Sequence, residues 1–194
     1  MTASTLARAV PPGMMRLAED TRLVELARSG SGAAFDELFR RHHGAVHAAA
    51  YHILGDRDAA DDVVQDVFIR VHGALPTFRG EASVRTWVMR IAVNRSISYQ
   101  RWAARRRSPG LTEAGGTRNA RASEGADGAL REALGSLRPV ERALIVLRDV
   151  RGHSYEEIGD MLGCSAGSVG VRLHRARTRL RREYSKLTEE AEAP

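Results

Sequence analysis

The chain has 194 residues, and its 30 lysine and arginine residues exceed its 24 acidic residues, giving a formal net charge of +6. This excess favours an anionic partner such as nucleic acid. Cys164 is the sole cysteine, which excludes an internal disulfide and a cysteine-rich zinc site. No apolar run reaches the roughly 18 residues of a membrane span and no signal peptide is evident, so we expect a cytoplasmic protein without direct membrane insertion.

The first part of the chain is predicted to be helical. Residues 1–16 are interpreted as a disordered leader, because they contain the segment AVPPG. From residue 17 to residue 102, apolar residues recur every three or four positions, and the breakers SGSG, LGD and LPTFRGE divide them. Alternating strand patterns and hairpin turns are almost absent. We therefore expect a domain of several amphipathic helices over residues 17–102.

The composition changes after residue 102. Residues 103–128 contain Leu111 as their only large aliphatic residue and no aromatic residue, which is typical of a flexible linker. A second helical block is predicted for residues 129–186, followed by an acidic tail over residues 187–194 that we expect to fray. The fold class is therefore all-α, with two small helical domains joined by a flexible linker.

The second block contains the pattern of a helix-turn-helix. Ser154 and Glu157 have the spacing of a capping box, Gly163 suits a left-handed C-cap, and Ser165 can cap the following helix. That following helix has apolar residues at spacings of three and four, namely Val169, Leu173, Ala176 and Leu180. Two helices joined by a short turn containing glycine are typical of DNA-binding proteins.

The arginine content of the second helix predicts its binding partner. Residues 164–182 contain six arginines and no acidic residue, which suits the phosphates and base edges of DNA. The first residues of such a helix meet base edges, whereas later ones meet phosphates. We therefore expect Ser168, Arg172 and Arg175 to lie nearer the bases than Arg179 and Arg182.

Two other functions stay open on this reasoning. One is metal-dependent catalysis, because His43 and His47 lie one helical turn apart, with Asp36 and Glu37 nearby. No third ligand with suitable spacing follows, and the zinc-protease, P-loop and dinucleotide motifs are absent, so we predict no metal, no cofactor and no catalytic residue. The other is a stand-alone helix-turn-helix regulator that binds operator DNA as a dimer; the additional N-terminal domain argues against it.

Two longer motifs carry a resemblance to a known family. The segments DAADDVVQDVFIRVHG (58–73) and FRGEASVRTWVMRIAVNRSISYQR (78–101) closely resemble region 2 of bacterial extracytoplasmic-function (ECF) sigma factors. The segments LRPVERALIVL (137–147) and SYEEIGDMLGCSAGSVGVRLHRARTRLRR resemble their region 4. The resemblance implies a non-catalytic subunit that binds core RNA polymerase, directs it to specific promoters and assists promoter opening.

The resemblance also implies partners and site residues. The partners are core RNA polymerase, double-stranded promoter DNA, the non-template single strand and, for many members, an anti-sigma factor. Residues 17–102 would bind core polymerase through Asp62, Gln65, Asp66, Phe68 and Arg70. The same domain would bind the −10 element through Phe78, Arg79, Ser83, Arg85, Arg90, Asn94, Arg95 and Arg101, with the loop over 78–83 capturing an extruded base. Residues 129–186 would bind the −35 element through Ser165, Ser168, Arg172, His174, Arg175 and Arg179.

Some positions depart from the family pattern or stay ambiguous. Gly170 stands where the family usually has lysine or arginine, and Val171 stands where a small polar residue is common; Ser98 and Gly159 are further departures. We expect Gly167 and Gly170 to cost the helix about 0.5–1 kcal/mol each relative to alanine. Trp87 is assigned either to the core or to the DNA surface, and its helical spacing with Ile91 favours the core.

Overall fold

The computed structural model describes residues 19–107 and 126–192, and within these ranges it contains eight α-helices and no strand. This confirms the predicted all-α class. The first block comprises α1 (Asp20–Arg28), α2 (Gly32–Leu54), α3 (Arg57–Ala74), a 3-10 turn (Leu75–Thr77) and α4 (Val84–Arg107). The second comprises α5 (Ala126–Gly135), α6 (Pro139–Ile145) with a π-helical continuation (Val146–Val150), α7 (Tyr155–Leu162) and α8 (Ala166–Glu192).

Several helices extend beyond the boundaries predicted from composition. Helix α4 continues through residues 103–107, and α5 begins at Ala126, so both reach into the segment assigned to the linker. Helix α8 continues to Glu192, because α5 packs along it and Leu187 in the predicted tail stays half-buried. The predicted leader and the centre of the predicted linker lie outside the described residues.

Short polar and glycine-containing segments start and end the helices as their residue types predict. The Ser31 hydroxyl accepts a hydrogen bond from the Ala34 amide (3.3 Å), and the Asp56 carboxylate accepts one from the Ala59 amide (2.8 Å). These side chains cap the first turns of α2 and α3. Gly55 ends α2 with a φ of 73°, a left-handed conformation that glycine adopts without strain.

The two blocks pack on each other as well as within themselves. Helices α1 to α4 form one bundle, and α5, α6 and α7 pack against α8. Helix α4 additionally contacts α6 and α7, and the buried apolar residues of both blocks belong to one contiguous cluster. Leu23, Val46 and Val67 in the first block and Leu144 and Leu173 in the second are fully buried members of it.

A buried arginine lies where the blocks meet. Arg142 on α6 is only 3% exposed and donates hydrogen bonds to main-chain carbonyls: Nη1 to Ile53 (2.7 Å) and Nη2 to Gly135 (2.7 Å). Ile53 and Gly135 lie at the carboxyl ends of α2 and α5, where carbonyls lack helical partners and the helix dipole attracts a cation. Burial lowers the pKa of Arg142 to about 10, so the side chain remains charged at neutral pH.

We expect Arg142→Met to destabilise the protein by about 2 kcal/mol, because buried carbonyls lose their donor while relief of the buried charge offsets part of the loss. Thermal unfolding followed by circular dichroism measures this. Arg22→Ala is the control: Arg22 pairs with Glu25 in a solvent-exposed ion pair (2.7 Å), so the change should stay within about 0.5 kcal/mol. Equal effects from both variants would contradict the structural role of Arg142.

Candidate polymerase and nucleic-acid interfaces

One face of α3 carries most of the residues predicted to contact polymerase. Asp62, Gln65 and Arg70 are exposed, and Asp66 is half-buried. Asp66 accepts from Arg70 Nε (3.0 Å) and also pairs with Arg95 on α4. Partial burial acts to raise the pKa of Asp66, but its bonds to Arg70 and the charge of Arg95 outweigh this and lower it. Asp66 therefore stays ionised at neutral pH, and its negative charge is paired with Arg70 and Arg95.

Phe68 differs from the other predicted polymerase contacts because it points into the protein. It is only 5% exposed, and its ring packs 4.6 Å from that of Phe39 on α2, centroid to centroid. The neighbouring Ile69 is 71% exposed and shares the outward face with Asp62 and Gln65. Positions 62, 65 and 69 are spaced so that their side chains share one face of a helix. This spacing could have identified Ile69 as part of the outward face, although Ile69 was not among the residues predicted from the family motif.

The loop before α4 forms one wall of a cleft of about 240 Å³. The rings of Phe78 and Trp87 pack 4.8 Å apart at a 46° tilt, and both residues line the cleft. Trp87 also contacts the apolar cluster and is half-buried, so it serves the core and the cleft at once. The other lining residues are polar, small or charged: Thr77, Arg79, Glu81, Ala82, Thr86, Arg90 and, from α7, Asp160.

Hydrogen bonds hold this loop in place. Arg28 on α1 donates from Nη2 to the Phe78 carbonyl (2.6 Å) and from Nε to the Leu75 carbonyl (3.1 Å). Ser83 accepts from the Thr86 amide (3.1 Å), which caps the first turn of α4. Ser83 is thus already engaged in starting the helix. The loop is therefore anchored at both ends.

Most of the remaining residues predicted for the −10 element lie along α4, and Arg79 lies in the loop before it. Arg79, Arg85, Arg90, Asn94 and Arg101 are exposed, whereas Arg95 is half-buried and held by Asp66.

The end of α4 carries an aromatic and basic surface that was not predicted from the family motif. Trp102 is 42% exposed, and the Arg106 guanidinium lies 4.5 Å from the centroid of its ring. The segment RWAARRR (101–107) was the available signal, because it interleaves an aromatic residue with arginines, but its last five residues were predicted to belong to the linker.

Helices α7 and α8 form the predicted helix-turn-helix. The capping box is confirmed: the Ser154 hydroxyl accepts from the Glu157 amide (3.1 Å), and Glu157 accepts from the Ser154 amide (2.9 Å). Gly163 ends α7 with a φ of 68°, as the left-handed C-cap requires. Ser165 accepts from the Ser168 amide (3.3 Å) and so caps α8.

The arginines of α8 fall into two groups. Arg177 pairs with Asp149, Arg179 with Glu141 (3.4 Å) and Arg182 with Glu183 (2.9 Å). Arg172, Arg175 and Arg181 are exposed and form no ion pair with any residue in the described part of the chain. The ion pairs of Arg177, Arg179 and Arg182 compete with DNA phosphates for these side chains. Arg172 and Arg175, the first two arginines of the helix, are available to bind DNA.

Three further residues define the outward face of α8. Ser168 is half-buried, while His174 is exposed like the neighbouring arginines. Val171 is 54% exposed, and its position is opposite the buried row that contains Val169 and Leu173. The outward face therefore combines an apolar side chain with two free arginines.

The histidines on α2 do not form a metal centre. His47 Nε2 lies 3.1 Å from a carboxylate oxygen of Asp61, and the rings of His43 and His47 stack 6.1 Å apart. Within residues 19–107 and 126–192, no group of three or more potential ligands could hold a metal ion. The same ranges contain no helix long and apolar enough to cross a membrane.

Comparisons with known proteins identify the family. The Sigma-70 region 2 model matches residues 38–106, and the Sigma-70 region 4 model matches residues 127–180. The chain is 34% identical over 163 residues to the ECF RNA polymerase sigma factor SigM of Mycobacterium tuberculosis, covering 84% of this chain and 83% of the relative. The chain belongs to the ECF RNA polymerase sigma factors. The resemblance found in the sequence is confirmed, and the function is to direct RNA polymerase to promoters, without catalysis.

Further relatives agree with this assignment. The ECF RNA polymerase sigma-E factor of Escherichia coli (strain K12) is 33% identical over 174 residues, covering 81% of this chain and 90% of the relative. The solved structure of CnrH in complex with the cytosolic domain of CnrY matches with a TM-score of 0.64 at 30% identity, covering 90% of this chain and 99% of that one. The sigma factor RpoE in complex with the anti-sigma factor NepR from Bartonella quintana matches with a TM-score of 0.62 at 25% identity, covering 78% and 96%.

The glycines of this sigma factor's helix-turn-helix have different roles. Gly167 lies in the first turn of α8, so the cost expected for a glycine in the helix interior applies to Gly170 alone. A Cβ atom on Gly170 would lie 3.4 Å from the ring of Tyr155 on α7, which places this position beside the helix contact. A Cβ atom on Gly159 would lie 2.5 Å from the Cys164 carbonyl oxygen, a separation that no alanine tolerates without a backbone shift.

We therefore expect Gly159→Ala to destabilise the protein by about 1–3 kcal/mol, since the turn between α7 and α8 must move to relieve the overlap. Gly167→Ala is the matched control in the same motif: a Cβ atom there meets nothing within 4 Å, so stability should be unchanged or slightly raised. Denaturant unfolding of both variants tests this. A Gly159→Ala protein as stable as the parent would show that the close approach is not required.

Proposed function

We propose that the two promoter elements and the polymerase are bound by three separate surfaces of this sigma factor. The outward face of α8 reads the −35 element, the loop and cleft before α4 bind the −10 element, and the exposed face of α3 binds core polymerase. The observation that carries the proposal is the anchored cleft of about 240 Å³ lined by Phe78 and Trp87, because its walls combine aromatic and polar side chains.

The chemistry of the cleft suits a base extruded from the non-template strand. An extruded base needs an aromatic surface to stack on and hydrogen-bonding groups to meet its edge. Phe78 and Trp87 provide the aromatic surface, and Thr86 and Glu81 provide polar groups. Arg79 and Arg90 on the same cleft supply positive charge for the adjoining phosphates. The exposed Trp102 and Arg106 extend this basic surface along α4.

The proposed polymerase surface combines charge with one apolar anchor. Asp62 and Gln65 are exposed beside the paired Asp66 and Arg70, and Ile69 protrudes among them. Interfaces of this type derive specificity from charges at the rim and affinity from a buried apolar contact. We propose Ile69 rather than Phe68 as the apolar contact with polymerase, because the Phe68 ring is already packed against Phe39.

Reading of the −35 element is assigned to the first half of α8. Arg172 and Arg175 are available for guanine edges, and Val171 can contact a thymine methyl group. Ser165, Ser168 and His174 would support this contact, and Arg179 would position the phosphate backbone.

A soluble anti-sigma partner or a membrane-bound one is also proposed, supported by the relative from Bartonella quintana, which is in complex with an anti-sigma factor. Such a protein would act in the cytoplasm, where RNA polymerase acts.

Run-off transcription with purified components tests the proposed function. We expect the protein, added to core polymerase and fragmented genomic DNA, to start transcription at a defined set of promoters that share −35 and −10 sequences. A stand-alone helix-turn-helix regulator would instead retard duplex DNA without polymerase and start no transcripts. Core polymerase without the protein is the control. Absence of specific transcripts together with sequence-specific binding by the free protein would favour the regulator.

Arg172→Ala should change which −35 sequences the reconstituted holoenzyme selects, since Arg172 is exposed and unpaired at the start of the recognition helix. The loss at the preferred base should be about 1–3 kcal/mol. Arg182→Ala should weaken binding evenly across sequences by a smaller factor, because Arg182 lies late in the helix and pairs with Glu183. Binding selection from randomised −35 elements distinguishes the two; equal, sequence-independent losses would contradict this division.

A further inference from the structure

A groove of about 640 Å³ lies between the end of α3 and the middle of α4. Gly73 and Ala74 form part of its α3 wall, and a Cβ atom on Gly73 would meet nothing within 4 Å. Three arginines line the groove, Arg70 from α3 and Arg90 and Arg95 from α4, and none of the described residues that line it is acidic. A groove with three cations and small residues on one wall has the charge and the space to bind an anion.

One carboxylate beside the groove orients two of these arginines. Asp66 Oδ2 accepts a hydrogen bond from Arg70 Nε (3.0 Å), and the same oxygen pairs with Nε of Arg95. The Nη groups of both arginines donate no hydrogen bond to any residue that the structure describes. Each Nη group carries two N–H donors that phosphate oxygens can accept. Asp66 therefore holds two guanidinium groups close together and leaves their Nη donors available.

The groove adjoins the cleft that we assign to the extruded base. Thr77 and Arg90 line both of them, so the cleft and the groove form one continuous surface. A single strand with one base in the cleft would extend its backbone past Arg90 into the groove. Proteins that bind single strands follow the backbone with positively charged grooves of this kind. The groove is therefore placed to meet the phosphates next to the extruded base.

We propose that Arg70 is a DNA-binding residue, which together with Arg95 binds one backbone phosphate of the non-template strand beside the extruded base. The proposal rests on the proposed function, because it takes the cleft as the site of that base. It moves Arg70 from the polymerase surface, for which the family motif predicted it, to the DNA surface. Arg70 lies about 100° around α3 from the outward-facing Ile69, and it shares Asp66 with an arginine of α4.

Arg70→Gln, assembled with core polymerase, tests the proposal. The probe is a labelled single strand with the non-template −10 sequence of a promoter mapped by run-off transcription. We expect the variant to bind it about tenfold more weakly than the parent and its logarithmic salt dependence to fall by about 0.7. Affinity for core polymerase, measured by competition with the parent, should be unchanged. Arg57→Gln is the matched control and should change neither affinity, since Arg57 is an exposed arginine of α3 that lines neither the cleft nor the groove.

A neutral phosphate analogue identifies the contacted phosphate. A set of strands carries one methylphosphonate each, at successive positions, so that each strand lacks one negative charge. At one position beside the extruded base, we expect the analogue to weaken binding by the parent about tenfold and binding by Arg70→Gln less than about twofold, because the variant lacks the partner of that charge. Arg70→Lys keeps the charge but not the forked guanidinium, so it should keep the salt dependence and recover only part of the affinity. Circular dichroism checks that every variant folds.

Two results would overturn the proposal. One is an equal loss for the parent and Arg70→Gln at every analogue position. The other is weaker binding of Arg70→Gln to core polymerase with unchanged affinity of the assembled holoenzyme for the strand, since Arg70 would then be a polymerase contact. Run-off transcription separates these failures from a failure of the proposed function. If only the role of Arg70 is wrong, the parent still initiates with core polymerase; if the proposed function is wrong, the parent starts no transcripts and binds the strand no better than core polymerase alone.

Discussion

The insertion of Arg142 among main-chain carbonyls is the interaction on which the arrangement of the two domains depends. Its guanidinium binds the ends of α2 and α5 from α6, so one side chain connects region 2 to two helices of region 4. A buried cation is stable only where oriented oxygen atoms replace its water, and helix carboxyl ends provide such atoms. Burial lowers its pKa to about 10 without removing the charge, so the contact persists at neutral pH.

Helix α4 is shared by the proposed polymerase and DNA surfaces. Its Arg95 pairs with Asp66 on the polymerase face of α3, while Arg90 lines the cleft and Asn94 contacts α7. A displacement of α3 by polymerase would therefore act on the residues beside the −10 surface through a direct ion pair.

Much of this protein could be predicted from local sequence. The helices, the capping box of Ser154 and Glu157, the left-handed Gly163 and the order of the two regions all follow from patterns within a few residues of each other. Helix ends were predicted less well, because α4 and α8 continue into segments whose composition suggests irregular structure. In α8, packing against α5 stabilises residues that have too few apolar side chains to order themselves.

The sequence by itself determined the family, the all-helical class and the candidate residues, since periodicity, caps and motifs are encoded at short range. Tertiary structure decided which candidates are available: Phe68 is covered by Phe39, Arg179 is paired with Glu141, and Ile69 and Val171 are exposed. It also decided that Asp160 lines the cleft and that Arg142 joins the domains. These contacts join residues distant in the chain, and their formation depends on how whole helices pack, which local patterns do not encode.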